Sequence, residues 1–242
     1  MKLFVTDYDN TLYINDEEIK DAIKEIKRIR KKDIKFVIST GRSIPSIKKE
    51  ILKHNIPFDY LSCADGSLIY DNNYNLLEEH HMDKDIIREI PNLIKNITYE
   101  EIQYSYDTGY ENYLDLSKNI SSINLVIFEN CYTKELEKKW NNLKKKFSNY
   151  NYLVYKHFYS VTNSYIYYMC IKNKDVSKSK GIEFLANYLN ISKEDIYVIG
   201  DSDNDYEMIK DYHGVCVVNS TDKIKSVSNK VYEKISDYIK EL

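Results

Sequence analysis

Two carboxylates one residue apart, Asp7 and Asp9, stand in Asp7-Tyr8-Asp9-Asn10-Thr11, directly after the apolar run Leu3-Phe4-Val5. On an extended chain, acids at i and i+2 point to the same side. In a loop just past a strand, one can present its side chain and the other its backbone carbonyl to a common point, which suits a hard divalent cation. A solvated Asp-rich turn accounts equally well for a lone Asp-x-Asp, so the weight falls on three further segments. Ile34-Lys35-Phe36-Val37-Ile38 runs into Ser39-Thr40-Gly41-Arg42, a hydroxyl pair and a glycine ahead of a helix, where backbone N–H groups are free to meet an anion. Ile196-Tyr197-Val198-Ile199 runs into Gly200-Asp201-Ser202-Asp203-Asn204-Asp205, which is rich in carboxylates and carries one amide. Between them, Lys178-Ser179-Lys180-Gly181 makes a cationic turn at the start of a helix.

In this order, and each at a predicted strand or helix edge, the four segments resemble the motifs of the haloacid dehalogenase (HAD) superfamily of phosphohydrolases. Within it they resemble the Cof-type, sugar-phosphatase-like group. That family carries DxDx[TV], a Thr or Ser ending the second strand, a Lys, and GDxxxD or GDxxND. Here these read Asp7 to Thr11, Thr40, Lys178 or Lys180, and Gly200 to Asp205. The resemblance implies a Mg²⁺-dependent phosphatase that works through an aspartyl-phosphate intermediate. Asp7 would be the nucleophile and Asp9 the acid and base, its side chain free to protonate the leaving alkoxide and then to activate water. Asp7 and Asp201 would bind the metal through side chains, Asp9 through its main-chain carbonyl, and Asp205 at or just behind them. Thr40 and Lys178, with backbone N–H groups near Tyr8 and Gly41, would hold the phosphoryl oxygens, and Arg42 and Asn204 join the substrate-binding set. Of the two lysines, the family's spacing to Asp201 and its Ser-Lys pattern favour Lys178, whereas the following Gly181 favours Lys180. Lys178 is taken as the catalytic one. Asp65, in Ala64-Asp65-Gly66-Ser67, stands where the Cof-type group usually has Asn. It adds a negative charge near the substrate's entry, but both residues suit such a turn, and the turn reading is preferred.

These residues need elements to hold them. Leu3 to Val5, Ile34 to Ile38 and Ile196 to Ile199 read as buried strands. A helix from about Asp16 to Lys31 puts Ile19, Ile23, Ile26 and Ile29 on one face. Another, from about Ser43 to Lys53, starts with Pro45 near its first turn and buries Ile44, Ile47, Ile51 and Leu52. Strand, helix, strand, helix argues for parallel strands with right-handed crossovers, whose ligands gather at the carboxyl ends of the strands. Residues 60–63 and 68–70 read as strands flanking the Asp65 turn. A helix from 179 to 189 ends at Asn190, and a short helix follows at 205–210. After a strand at 215–218 comes a final amphipathic helix with Ile224, Val227, Val231, Ile235 and Ile239.

In the middle of the chain the pattern changes and the four segments are absent. A helix near 84–97 contains Pro91, which should kink or split it. Strands are expected at 102–106, 110–114, 123–128, 152–161 and 165–171, with a helix from Thr133 to Phe147 that carries Trp140 on its apolar stripe. This is an α+β segment, and its place between the Thr40 and Lys178 segments resembles the type II, subtype B cap of the Cof-type group. The expected fold class is α/β: a Rossmann-like parallel sheet core (the HAD fold) over residues 1–79 and 174–242, with an inserted α+β cap domain over 80–173 that supplies substrate specificity.

Composition narrows the partners. The 242 residues carry a net charge of -3 and offer no basic surface for nucleic acid. Cys63, Cys131, Cys170 and Cys216 form no CxxC pair and read as reduced core or edge residues. No apolar run approaches the roughly 18 residues of a spanning helix, and Asp7 and Asp9 fall where a signal peptide would be apolar, so a cytoplasmic protein without a membrane partner is expected. The partner is a small phosphorylated metabolite, with sugar phosphates the first choice by resemblance; the oligomeric state is left open. A phosphomutase-type phosphotransferase would use the same intermediate. A non-enzymatic phospho-switch would use a similar acidic pocket, but such receivers are about half this length and draw their acids from different strands.

Overall fold

The N-terminal apolar run forms β1 (Lys2–Thr6), in which Leu3, Phe4 and Val5 are wholly buried, as a strand covered on both faces requires. The computed structural model describes residues 1–95, 99–159 and 163–242. It divides into one unit made of Met1–Glu79 with Ser177–Leu242 and another made of His80–Val176. After β1 come α1 (Glu18–Arg30), β2 (Ile34–Ser39), α2 (Ile44–His54), β3 (Tyr60–Cys63), β4 (Leu68–Asp71) and β5 (Leu76–Glu79).

The second unit contains α3 (Lys84–Ile94), β6 (Glu101–Tyr106), β7 (Gly109–Glu111), β8 (Ile120–Phe128), α4 (Lys134–Lys146), β9 (Tyr150–Tyr159) and β10 (Ser164–Asn173). The chain then returns to the first unit with α5 (Lys178–Leu189), β11 (Ile196–Gly200), α6 (Tyr206–Asp211), β12 (Val215–Val217), α7 (Asp222–Lys225), β13 (Val231–Tyr232) and α8 (Ile235–Lys240).

The first unit's sheet has the order β13-β12-β11-β1-β2-β3-β4-β5. Pairing is parallel from β13 through β3 and antiparallel from β3 to β5. One face packs Phe4 and Phe36, stacked with centroids 5.9 Å apart, under Ile19, Ile26 and Ile29 of α1, Ile47 and Ile51 of α2, and Ile235 and Ile239 of α8. The other face packs Leu3, Val5, Val37 and Val198 under Ile182 and Leu185 of α5, Met208 and Ile209 of α6, and Ile224 of α7. Each fully buried isoleucine contributes roughly 1.5–3 kcal/mol of transfer free energy. This is the expected α/β class, a parallel core sheet between two helical layers. Its site-bearing strands β11, β1 and β2 lie side by side at the centre.

In the second unit the sheet runs β7-β6-β8-β10-β9 and is antiparallel throughout. Its apolar face carries Ile123, Leu125, Ile127, Met169 and Ile171 against Leu136, Trp140 and Leu143 of α4 and Ile87 and Ile90 of α3. Trp140 is thus a core residue, 2% exposed. Pro91 lies inside α3 rather than splitting it. The ends of the expected helix at 96–97 and of the expected strand at 160–161 lie outside the described residues.

Three expectations are corrected. The final amphipathic helix does not exist as one piece: α7 stops at Lys225, Val231–Tyr232 adds to the sheet as β13, and only Ile235–Lys240 is helical again. The intervening Ser226, Ser228 and Asn229 are weak helix formers, and the backbone there bonds elsewhere, Asn229 N to Gly214 O and Cys216 N to Lys230 O. The strand expected at 110–114 ends at Glu111, and Leu52 faces outward at 65% exposure.

Candidate active site

The sheet places the predicted chemistry at neighbouring strand ends. Asp7 follows β1 and continues its ladder, its N–H donating to Ile199 O at 3.0 Å, while Thr40 follows β2 and Asp201 follows β11. Asp7, Thr40, Asp201, Asp205 and Lys178 are all buried. Carboxylate oxygens of Asp7, Asp201 and Asp205 lie within 4.8 Å of one another.

Lys178 is the cation at the centre of this cluster. Its Nζ donates to Asp7 Oδ1 and Asp205 Oδ1, both at 2.5 Å. It sits in the first turn of α5, which Ser177 caps by accepting from Lys180 N at 3.2 Å. Lys180 is turned outward and pairs with Glu183 at 2.7 Å. The start of α5 is pressed against the Asp65 turn. A Cβ on Gly66, whose φ is +98°, would come within 2.3 Å of Ser177 O, so only glycine allows this approach.

Three buried acids around one lysine leave surplus negative charge. Burial pushes the Asp7 carboxyl well above the usual range; Lys178 opposes this, and the charges of Asp205, Asp201 and Asp9 add to it. Asp201 is pushed up to about 6 by burial first and by Asp205 second, against the hydrogen bonds from Ser202 and Thr11. Those hydroxyls donate to Asp201 Oδ2 at 2.7 Å and Oδ1 at 2.8 Å. Burial works against the charge of Lys178, but Asp205 and Asp7 prevail and raise its pKa. All-oxygen donors with an unneutralised charge fit a hard divalent cation such as Mg²⁺.

Asp205 is more tightly committed than its neighbours. Its Oδ2 accepts from the backbone N–H groups of Asp201 and Ser202, both at 2.9 Å, so it holds the turn that carries Asp201. Gly200 makes room for it, since a Cβ there would lie 2.5 Å from its carboxyl carbon.

Asp9 differs from the expectation of a free side chain. Its two oxygens accept from Arg42 Nε and Nη2, each at 2.8 Å, while the side chain as a whole stays 47% exposed. Arg42 is itself positioned over the Tyr8 ring, 5.0 Å from its centroid, and within 3.8 Å of Glu50. The structure therefore joins Arg42 to Asp9, in a forked geometry that a lysine would not reproduce. Asn204 donates to Asp65 Oδ1 at 3.0 Å, and Gly41 lies beside the same carboxylate.

Sequence reasoning did not assign Ser177, Ser202, Thr11 or Glu50. The first two carry a capping signal, a Ser ahead of a helical turn. Thr11 was visible only as part of the Asp7 motif, and nothing local marks Glu50, which lies on α2 and reaches back to Arg42 ahead of that helix.

Comparison with known proteins gives the family and the fold. The family of haloacid dehalogenase-like hydrolases matches residues 4–237. A provisionally named phosphatase of Buchnera aphidicola is 29% identical over 222 residues, covering 86% of this chain and 82% of that one. The 5-amino-6-(5-phospho-D-ribitylamino)uracil phosphatase YcsE of Bacillus subtilis is 26% identical over 258 residues, 96% of this chain and 89% of that one. Among solved structures, the HAD subclass IIB sugar phosphatase BT4131 superimposes with a TM-score of 0.75 at 15% identity, over 100% of this chain and 98% of that one. Among the described residues, no helix is long and apolar enough to cross a membrane.

Proposed function

This chain belongs to the haloacid dehalogenase-like hydrolases and is a phosphatase of that family, and from that premise we propose that it hydrolyses small phosphorylated metabolites, sugar phosphates foremost, through an aspartyl-phosphate on Asp7. The observation that carries the reading is the buried Asp7 at the end of β1, sharing Lys178 with Asp205 at 2.5 Å and clustered with Asp201. Asp7 and Asp201 by their side chains, and Asp9 by its carbonyl, would hold Mg²⁺, with Asp205 beside them. Bound there, the cation would offset the repulsion between the carboxylates and a phosphate ester.

In the forward step an Asp7 carboxylate oxygen bonds to phosphorus as the ester P–O bond breaks, and Asp9 gives its proton to the departing alkoxide. In the second step Asp9 takes a proton from water, the water oxygen attacks phosphorus, and Asp7 leaves as a carboxylate with release of inorganic phosphate. Both Asp9 oxygens accept from Arg42 here, the arrangement of an ionised carboxylate, so Asp9 gives up one arm of that fork when it takes up the proton that it passes to the leaving group. Lys178, Thr40 and the N–H groups near Tyr8 and Gly41 bind the phosphoryl oxygens as charge shifts among them. The unit His80–Val176 serves as the cap that selects the leaving group.

The test is phosphate release from a panel of phosphorylated sugars, nucleotides and cofactors, with Mg²⁺ and with EDTA. The reading predicts release that needs the metal and needs no acceptor sugar. Release only in the presence of a second sugar would point to a phosphotransferase instead.

A further inference from the structure

Asp65 lies between β3 and β4 with a left-handed backbone, φ 56°. That conformation accounts for an Asn or Asp, both of which tolerate it, but not for a charge. The side chain is buried, and its Oδ1 accepts from Asn204 Nδ2 at 3.0 Å. The same oxygen is 3.3 Å from where a Cβ on Gly41 would stand, and the Asp65 N–H donates to Thr40 O at 2.9 Å. The carboxylate therefore sits among the groups assigned to the phosphoryl oxygens. It also acts on Lys178: burial lowers that lysine's pKa, and Asp205, Asp7 and then Asp65 raise it.

We propose that Asp65 is a specificity-determining residue that weakens the site's hold on the phosphate group, by adding a fixed negative charge beside it and by occupying the Asn204 amide. This rests on the hydrolytic reading above. Like charges in a poorly hydrated pocket repel, and an incoming phosphate must draw Asn204 away from Asp65 or bind without it. Inorganic phosphate is consequently released readily, and an ester is held well only when its leaving group contributes to binding.

Asp65→Asn removes the charge, keeps the shape and keeps a residue that accepts the left-handed backbone. Inorganic phosphate is titrated calorimetrically into the Mg²⁺-loaded full chain of both proteins, and KM and kcat are measured with the best ester of the panel. The variant is expected to bind phosphate about tenfold tighter, with KM for the ester falling in parallel. A merely structural role would lower kcat or the unfolding temperature without tightening the anion. Equal or weaker phosphate binding by a folded Asp65→Asn overturns the proposal, and with turnover intact it leaves the hydrolytic reading standing. Absence of both phosphate binding and turnover in the folded wild type would overturn the two together.

Discussion

Lys178 and Lys180 are two residues apart in one helix and have opposite surroundings: the first is buried between Asp7 and Asp205, the second is exposed and pairs with Glu183. Replacing Lys178 by Met leaves two buried carboxylates without their cation, and the metal-free protein should lose about 3–5 kcal/mol of stability in urea unfolding. Lys180→Met removes a surface pair and should change stability by less than about 0.5 kcal/mol. Equal losses in the two variants would contradict the arrangement. Apolar patterning could not separate these lysines, because both precede the same stripe, and the choice of Lys178 rested on the family resemblance. Position on the helix does: residues two apart project roughly 200° apart around the axis, so only one can face the strand ends. Similarly, Arg42 was visible as a residue of the Thr40 turn, but its pairing with Asp9, 33 positions away, is a product of the fold.

At the scale of elements, the strand ends were legible and the packing between them was not. Apolar runs that stop at Asp7, Ser39 and Gly200 have the length of buried strands, and β1, β2 and β11 fall on them. The C-terminal segment misled because Ile224, Val227, Val231, Ile235 and Ile239 keep helical spacing through a stretch that pairs with the sheet as β13. Nor does any sequence pattern show that the turn around Gly66 presses on the start of α5. Gly66→Ala should be destabilising by about 2–4 kcal/mol in urea unfolding, from the backbone clash with Ser177 O and the left-handed strain together. Gly109, also at positive φ but with nothing near its Cβ position, should cost only about 1 kcal/mol when changed to Ala. If the two substitutions cost the same, the close approach at Gly66 is not what holds α5 in place.

For the whole molecule, the fold class was readable because hydrophobic periodicity, motif order and crossover handedness constrain a parallel sheet together. The electrostatic balance of the centre was not readable, since it depends on which acids become buried around one lysine. Asp7 and Asp201 have raised pKa values in the fold, Asp201 to about 6. A carboxyl raised above its unfolded value favours folding while protonated, and that contribution is lost as pH rises through the folded pKa. Without metal, the contribution from Asp201 is therefore present in mild acid and absent above about pH 6. A bound divalent cation requires the ionised form, so the gain in unfolding temperature from Mg²⁺ over EDTA should be larger at about pH 7.5 than at about pH 5.5. An equal gain at both would place the metal elsewhere. The most direct measurement of the central claim is phosphate release by the wild type and by Asp7→Asn, in the same Mg²⁺-containing assay and with folding checked for both. The account predicts that the substitution, which removes the nucleophile and leaves the size of the side chain unchanged, lowers turnover by roughly three orders of magnitude or more. Turnover by a folded Asp7→Asn within about tenfold of the wild type would contradict an aspartyl-phosphate at Asp7.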